Sequence, residues 1–489
     1  MVKKQKKSDE KEIIPERLPK KDNFIEWYNK VLELAEIVDR RYGVKGTFVW
    51  MPYGLKIMKK LVQTWDALFQ NNGIEETYFP LFVPLKYAKQ NDAWFEGFKK
   101  NLYAAVPFLE ESEFKEKLII RPTGEPAMYP IFKLWIKDGR LPIRIYETVS
   151  SFRLEGKKTH AMIRDREITF WYEIHTAHKT KEEAYEEMQR HIKINEEIWN
   201  FLCCPTIAVE KPKYELFPGA ESAVEFYVIL PDGRLLENGS VNNLGQAYAK
   251  KFGLAYEDQN GKKQYCWQIC TGNGARYLVS VIALHGDERG LVLPPNLAPI
   301  QIIIIPIFKK DLGEIESYAE NIANELREAG ISVYIDSRRD KTVGEKFYIW
   351  DIKGVPLRIE IGEQELKSNK ITVFRRDTKE RLVVEREKMI MVAKKLLFED
   401  IPKKLYEKAR ASFESKVKSF DNLNDAIKWI KKGGAAKIPW CEGENCYETI
   451  RSMEEGLDAA GSLLLERKKS TCCVCGKQTD RILLLGKGY

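Results

Sequence analysis

The stretch from Arg144 to His178, RIYETVSSFRLEGKKTHAMIRDREITFWYEIHTAH, constrains the fold more than any other. Its front half, Arg144 to Phe152, alternates apolar and polar residues with β-branched enrichment, the pattern of a strand. A glycine and lysines at 156–158 read as a loop. A second strand runs through Ile168, Phe170, Trp171 and Ile174. Two antiparallel strands joined by a flexible basic loop carry Arg153, Glu155, Arg164, Arg166 and Phe170 on one ribbon. Arg153 offers a planar fork to a phosphate. Glu155 accepts from an amino group, and Phe170 presents an aromatic face to a flat ring. These are the parts of a nucleotide site. A surface hairpin with solvated charges is the plainer reading of the same composition.

The length of 489 residues predicts two to four domains, and 44% hydrophobic residues is enough for real cores. The 80 basic and 72 acidic side chains leave a net +8, compatible with a polyanionic partner without requiring one. No run approaches the ~18 apolar residues of a membrane span. The N-terminal MVKKQKKSDEKEIIPERLPKK has no apolar core, so it reads as a disordered basic tail and predicts a cytoplasmic protein. Five of the nine cysteines lie from Cys441 onward, and that clustering argues for a metal site rather than disulfides.

Along the chain, the spacing predicts helices over Asn23 to Tyr42 and Leu55 to Phe69, then a strand from Glu76 to Val83. A strand at Leu118–Arg121 runs into a Pro-Thr-Gly-Glu turn. There Thr123 and Glu125 are placed to bind a substrate ammonium, or to cap the following helix. Lys179 to Leu202 is helical, Val224 to Leu230 a strand, and a turn at 231–233 leads into a second strand reaching Asn242. Arg276 sits just inside an apolar helix, Tyr277 to Leu284, as a cation for a phosphate tail or as a surface charge. From Pro299, alternation of strands and helices predicts an α/β unit with a mixed, largely parallel sheet. From Pro402 the chain is Lys-rich and helical to about Lys432. Cys441 with Cys446 and Cys473 with Cys475 form two close thiol pairs suited to tetrahedral zinc. Cys472 with Cys475 gives a C-x-x-C alternative, and free buried thiols are the remaining one.

Three motifs carry a resemblance. FRLE, a loop, and R-x-x-x-F (Arg166 to Phe170) resemble the second signature motif of class II aminoacyl-tRNA synthetases. WYEIHTAH resembles the corresponding segment of prolyl-tRNA synthetases. H-G-D-x-x-G-L-V-L-P-P (His285 to Pro295), with Arg276 nine residues before it, resembles the third motif of class IIa members. The chain is identified as a member of that class, similar to the archaeal and eukaryote-like prolyl-tRNA synthetases from about Asn23 to Tyr489. About 100 residues separate motifs two and three, too few for the bacterial editing insertion.

The resemblance implies an α+β catalytic domain on an antiparallel sheet (21–298), after a tail at 1–20. An α/β anticodon-binding domain (299–400) and a small zinc-binding α+β domain (401–489) follow. It implies ATP, Mg²⁺ and structural Zn²⁺ as cofactors, tRNA and an amino acid as substrates, and a homodimer through the first class II motif, which the Leu55 to Phe69 helix, the Glu76 to Val83 strand and the closing Pro84 resemble. It assigns Arg153, Glu155, Arg164, Phe170 and Arg276 to ATP. Thr123, Glu125, Trp171, His175, Phe226 and Cys270 fall to the amino acid, proline being the leading substrate. Lys346, Lys353, Arg375 and Arg376 fall to tRNA, and Cys441, Cys446, Cys473 and Cys475 to zinc. The chain departs from the family at Gly124, where Ser is usual and where glycine should loosen the turn. It departs again at Tyr227, Glu237 and Asn242. A paralogue for a different amino acid, or a catalytically silent RNA-binding relative, is the alternative these positions leave open.

Overall fold

A computed structural model describes residues 18–107, 116–156, 158–307 and 313–489. The expected basic tail, up to residue 17, lies outside the described residues.

The predicted hairpin lies near one edge of an eleven-stranded sheet, with Glu75–Glu76 beyond it. Ile143–Phe152 pairs antiparallel with Glu167–His178, which pairs with Trp267–Asn273, then Arg234–Gly245, Ser222–Ile229 and Ile207–Glu210. Alternation along Glu167–His178 divides its side chains by face. Tyr172 and Ile174 enter the main core; Trp171, Glu173 and His175 face a cavity on the other side. The helices Phe24–Leu34, Pro52–Asn71, Lys181–Phe201 and Arg276–His285 supply that core. Thr180 and Glu183 close a reciprocal cap at the start of the third.

The sheet continues into the C-terminal unit. Leu457–Thr471 pairs with Ile207–Glu210 through Ser462 and Leu463, and Gln478–Gly488 and Ala435–Pro439 follow beyond it. A separate five-stranded sheet is built from Val333–Ile335, Ile302–Pro306, Leu357–Ile361, Lys370–Arg375 and Arg381–Glu385. Its first three strands are parallel and its last two antiparallel, the mixed α/β arrangement the alternation predicts.

Three elements differ from expectation. The first helix stops at Leu34 rather than Tyr42, because Glu36 turns into the left-handed region at φ 55°. The backbone of Ile37 then packs on Gly54, where a β-carbon would meet the Ile37 carbonyl oxygen at 2.2 Å. The Glu76–Val83 strand divides at Pro80: Glu75–Glu76 joins the large sheet, and Phe82–Pro84 pairs with Leu118–Ile120. The helix over 402–432 becomes Ile401–Lys416 and Leu423–Lys431, with the second helix capped afresh by Asn422. No helix among the described residues is long and apolar enough to cross a membrane.

Candidate active site

A cavity of about 550 Å³ opens over the central strands. Nine residues expected at the site line it: Thr123, Glu125, Arg153, Glu155, Arg164, Trp171, His175, Cys270 and Arg276. Two do not. Phe226 is 1% exposed and lies in the main core, because strand alternation turns it away while its neighbour Glu225 faces the cavity. Phe170 is not on the cavity wall; its ring packs edge-on against Trp50, 5.6 Å away.

At one end the turn before helix Glu125–Lys137 presents Thr123 and Glu125, both buried. The Thr123 hydroxyl donates to the Glu125 carboxylate, and Trp94 Nε1 donates to Thr123 at 3.2 Å and to Glu125 at 3.3 Å. Glu173 ties this turn to the sheet. It accepts from the Gly124 amide at 2.6 Å and Trp171 Nε1 at 2.7 Å, and bonds His175 Nε2 at 3.0 Å. Gly124 therefore does not loosen the turn: its amide is pinned, and a β-carbon there would sit 2.6 Å from Glu173 Oε2.

The charges at this end are set by burial and by one another. Burial and the Glu173 charge push the Glu125 carboxyl up. Burial alone would raise Glu173, but hydrogen bonds from His175 and the Gly124 amide hold it below the usual range. Burial would lower His175; its bond to Glu173 and the neighbouring carboxylates raise it instead. Glu173 and Trp94 escaped the sequence reading. The period-two alternation Trp171, Glu173, His175 was the available signal for the first.

Arg153 and Arg276 line the same cavity. Arg153 lies over the Trp171 ring at 5.6 Å and donates to the Pro122 carbonyl at 3.2 Å. Arg276 donates from Nε to the Ile163 carbonyl at 3.0 Å and pairs with Glu237. Of the departing positions, Glu237 and Asn242 line the cavity. Tyr227 does not; its buried hydroxyl donates to Glu225 at 2.8 Å.

This cavity is lined by guanidinium groups and a buried carboxylate turn. Family models match in chain order: the tRNA synthetase class II core domain (G, H, P, S and T) at 108–285, an anticodon binding domain at 301–396, and prolyl-tRNA synthetase, C-terminal, at 423–489. The proline--tRNA ligase of Thermococcus kodakarensis is 40% identical over 484 residues, covering 97% of this chain and 99% of that one. That of Methanopyrus kandleri is 40% identical over 471 residues, covering 95% and 96%. The chain belongs to the prolyl-tRNA synthetase family. A solved structure titled Giardia lamblia Prolyl-tRNA synthetase in complex with prolyl-adenylate shares the fold with a TM-score of 0.91. It is 29% identical, covering 97% of this chain and 100% of that one.

The prolyl-tRNA synthetase C-terminal region carries the cysteine cluster. Sγ of Cys441 lies 3.6 Å from Cys446 and from Cys475, and Cys472 lies 3.9 Å from Cys446. All four sulfurs are within 4.8 Å of one another. Cys473, the expected ligand, is outside this group. The tight turn closed by Gly476 N–H on the Cys472 carbonyl at 2.9 Å brings Cys472 and Cys475 together and turns Cys473 aside. Four thiols at these separations fit a tetrahedral ion with bonds of about 2.3 Å, whose ligand sulfurs lie about 3.8 Å apart. A hydrogen bond from the Lys477 amide lowers the Cys475 thiol to about 7.

The basic residues expected at tRNA are committed to the protein. Lys346 is 1% exposed and donates to the Asp336 carbonyl at 3.1 Å. Arg376 is also 1% exposed and grips Asp287 with two bonds, at 2.9 and 2.6 Å. These two sit in the interior, away from direct RNA contact. Arg375 pairs with Asp377 at 2.7 Å, and Lys353 with Glu36 at 2.5 Å.

Proposed function

We propose that this enzyme activates proline with ATP to prolyl-adenylate and transfers it to the 3′-terminal ribose of tRNA(Pro). The observation that carries the reading is one cavity lined by Arg153, Arg164 and Arg276 together with the buried Thr123–Glu125 turn. Attack of the amino-acid carboxylate on the α-phosphate builds negative charge, and fixed cations stabilise it without reorganising. Arg153 takes the α-phosphate, Arg164 and Arg276 the distal phosphates, and Glu155 the adenine amino group. Thr123 and Glu125 hold the substrate amine, while Trp171, His175 and Cys270 wall its ring. Positioning and electrostatics suffice, with no covalent nucleophile.

The carboxylates of Glu225 and Glu237 are oxygen donors facing the same cavity, a set that suits Mg²⁺. When bound, that ion neutralises phosphate charge. Cys441, Cys446, Cys472 and Cys475 form the structural zinc site. The enzyme is a cytoplasmic homodimer joined through the first class II motif.

The test is amino-acid-dependent ATP–pyrophosphate exchange across a panel of amino acids, followed by charging of tRNA(Pro). Proline supports both. Exchange with another amino acid and not with proline would select a paralogue, and no exchange at all a silent relative.

A further inference from the structure

One wall of the cavity is held from the C-terminal unit. Leu216 and Phe217 line the cavity beside Glu215. They belong to the connection between Ile207–Glu210 and Ser222–Ile229, and both ends of that connection are bonded to the large sheet. The Lys211 amide donates to the Ala223 carbonyl at 2.9 Å, and the Glu221 amide to the Asn243 carbonyl at 2.7 Å. Between those ends, two side-chain anchors flank Leu216 and Phe217. On the C-terminal side the Tyr248 hydroxyl donates to the Pro218 carbonyl at 2.7 Å. On the N-terminal side the Glu215 carboxylate accepts from the Tyr447 hydroxyl and, at 2.9 Å, from Arg451. Tyr447 and Arg451 lie one turn apart on the helix Glu444–Ser452, which also carries Cys446. Tyr447 is buried and its ring packs on Tyr214 at 4.6 Å, which fixes the aim of its hydroxyl.

Phe217 passes the restraint inward. Its ring lies 6.0 Å from that of Phe98, and the Arg153 guanidinium lies over the Phe98 ring at 5.7 Å. Phe98 shares the helix Asp92–Phe98 with Trp94, the donor to Thr123 and Glu125. We propose that Tyr447 and Arg451 are positioning residues for the reaction: by gripping Glu215 they hold Leu216 and Phe217 at the cavity, so that the C-terminal unit fixes a wall of the catalytic site. Neither side chain lines the cavity itself. The Arg451–Glu215 pair is partly exposed and screened, so the larger share falls to the buried Tyr447. That the wall serves the amino acid rests on the proline reading; the grip on Glu215 does not.

The test is hydrogen exchange over residues 211–221, read by mass spectrometry in the full chain and in a Tyr447→Phe, Arg451→Met variant, beside pyrophosphate exchange. The segment is expected to exchange faster in the variant. The KM for proline should rise about three- to ten-fold while kcat stays within about two-fold of the unaltered chain. Glu215→Ala removes the same contacts from the catalytic side and should give the same result, which keeps the test decisive if the double variant does not fold. Unaltered hydrogen exchange over 211–221 in the folded variants overturns the grip. Faster exchange with the KM for proline unchanged overturns the positioning role. A chain inactive with proline whose variants still loosen over 211–221 overturns the function reading and leaves the grip standing.

Discussion

Arg276 is held by Glu237: its guanidinium donates to that carboxylate and, at 3.1 Å, to the same residue's carbonyl oxygen. The side chains are about one-third exposed, so the pair is screened and modest in strength. A phosphate that takes Arg276 must displace this internal anion. Glu237→Gln should therefore lower the KM for ATP at saturating Mg²⁺ about two- to five-fold, equivalent to about 0.5–1 kcal/mol. The Mg²⁺ concentration for half-maximal rate should rise, because an oxygen donor loses its charge. Pyrophosphate exchange over an ATP and a Mg²⁺ series measures both. An unchanged KM for ATP would mean that Glu237 does not compete with phosphate.

Glu125 makes a charge-assisted bond to the substrate amine in the proposed reaction. Loss of such a bond costs about 1.5–3 kcal/mol, or about 10–150-fold. Glu125→Gln should lower kcat/KM for proline by that factor while the affinity for ATP, measured by equilibrium binding without proline, stays the same. A parallel loss of ATP affinity would instead mean that the turn before helix Glu125–Lys137 has collapsed.

Asp287 and Arg376 join the catalytic unit to the mixed α/β sheet. Burial alone would raise the Asp287 carboxyl, but hydrogen bonds from Arg376 hold it at about 2, against an ordinary 3.8. A depressed carboxyl stabilises the fold above its unfolded value and loses that contribution as pH falls through its folded value. The contribution at pH 7 is about 2 kcal/mol, lost between about pH 4 and pH 2. Asp287→Asn strands a buried guanidinium and should cost about 3–5 kcal/mol. Thermal unfolding at pH 7 checks the cost of the substitution. Acid titration checks the pH window, since the variant should lack this component of acid destabilisation.

That pair also shows where the sequence was legible. The hairpin from Arg144 to His178 declares itself through alternation, and its register follows from one buried face. The order of strands and helices after Pro299 likewise announces a mixed α/β sheet. A basic pair such as Arg375–Arg376 looks the same in sequence whether it meets RNA or an aspartate 89 positions away. The function of a charge depends on partners that only the tertiary fold supplies. Phe226 failed for a related reason: the strand was read correctly, but the face was not. Glu173, which ties the Thr123–Glu125 turn to the sheet, is one glutamate among many until Gly124, Trp171 and His175 are brought around it.

The cysteine cluster gives the sharpest separation of the two readings. Cys472 and Cys473 are adjacent, and spacing alone allows either to complete the set. The structure puts the Cys472 sulfur 3.9 Å from Cys446 and leaves Cys473 packed among apolar neighbours. Cys472→Ser should lose bound zinc, measured by metal analysis of the purified protein, while Cys473→Ser should retain about one ion per chain. The consequence reaches beyond the cluster. Gln478–Gly488, which follows the turn, pairs with Leu457–Thr471 and, through Lys487 and Gly488, with the central strand Arg234–Gly245. A chelator that strips the metal should therefore lower the thermal midpoint of the whole enzyme, because structural zinc binding contributes directly to folding. Zinc retained in Cys472→Ser and lost in Cys473→Ser would reverse the assignment.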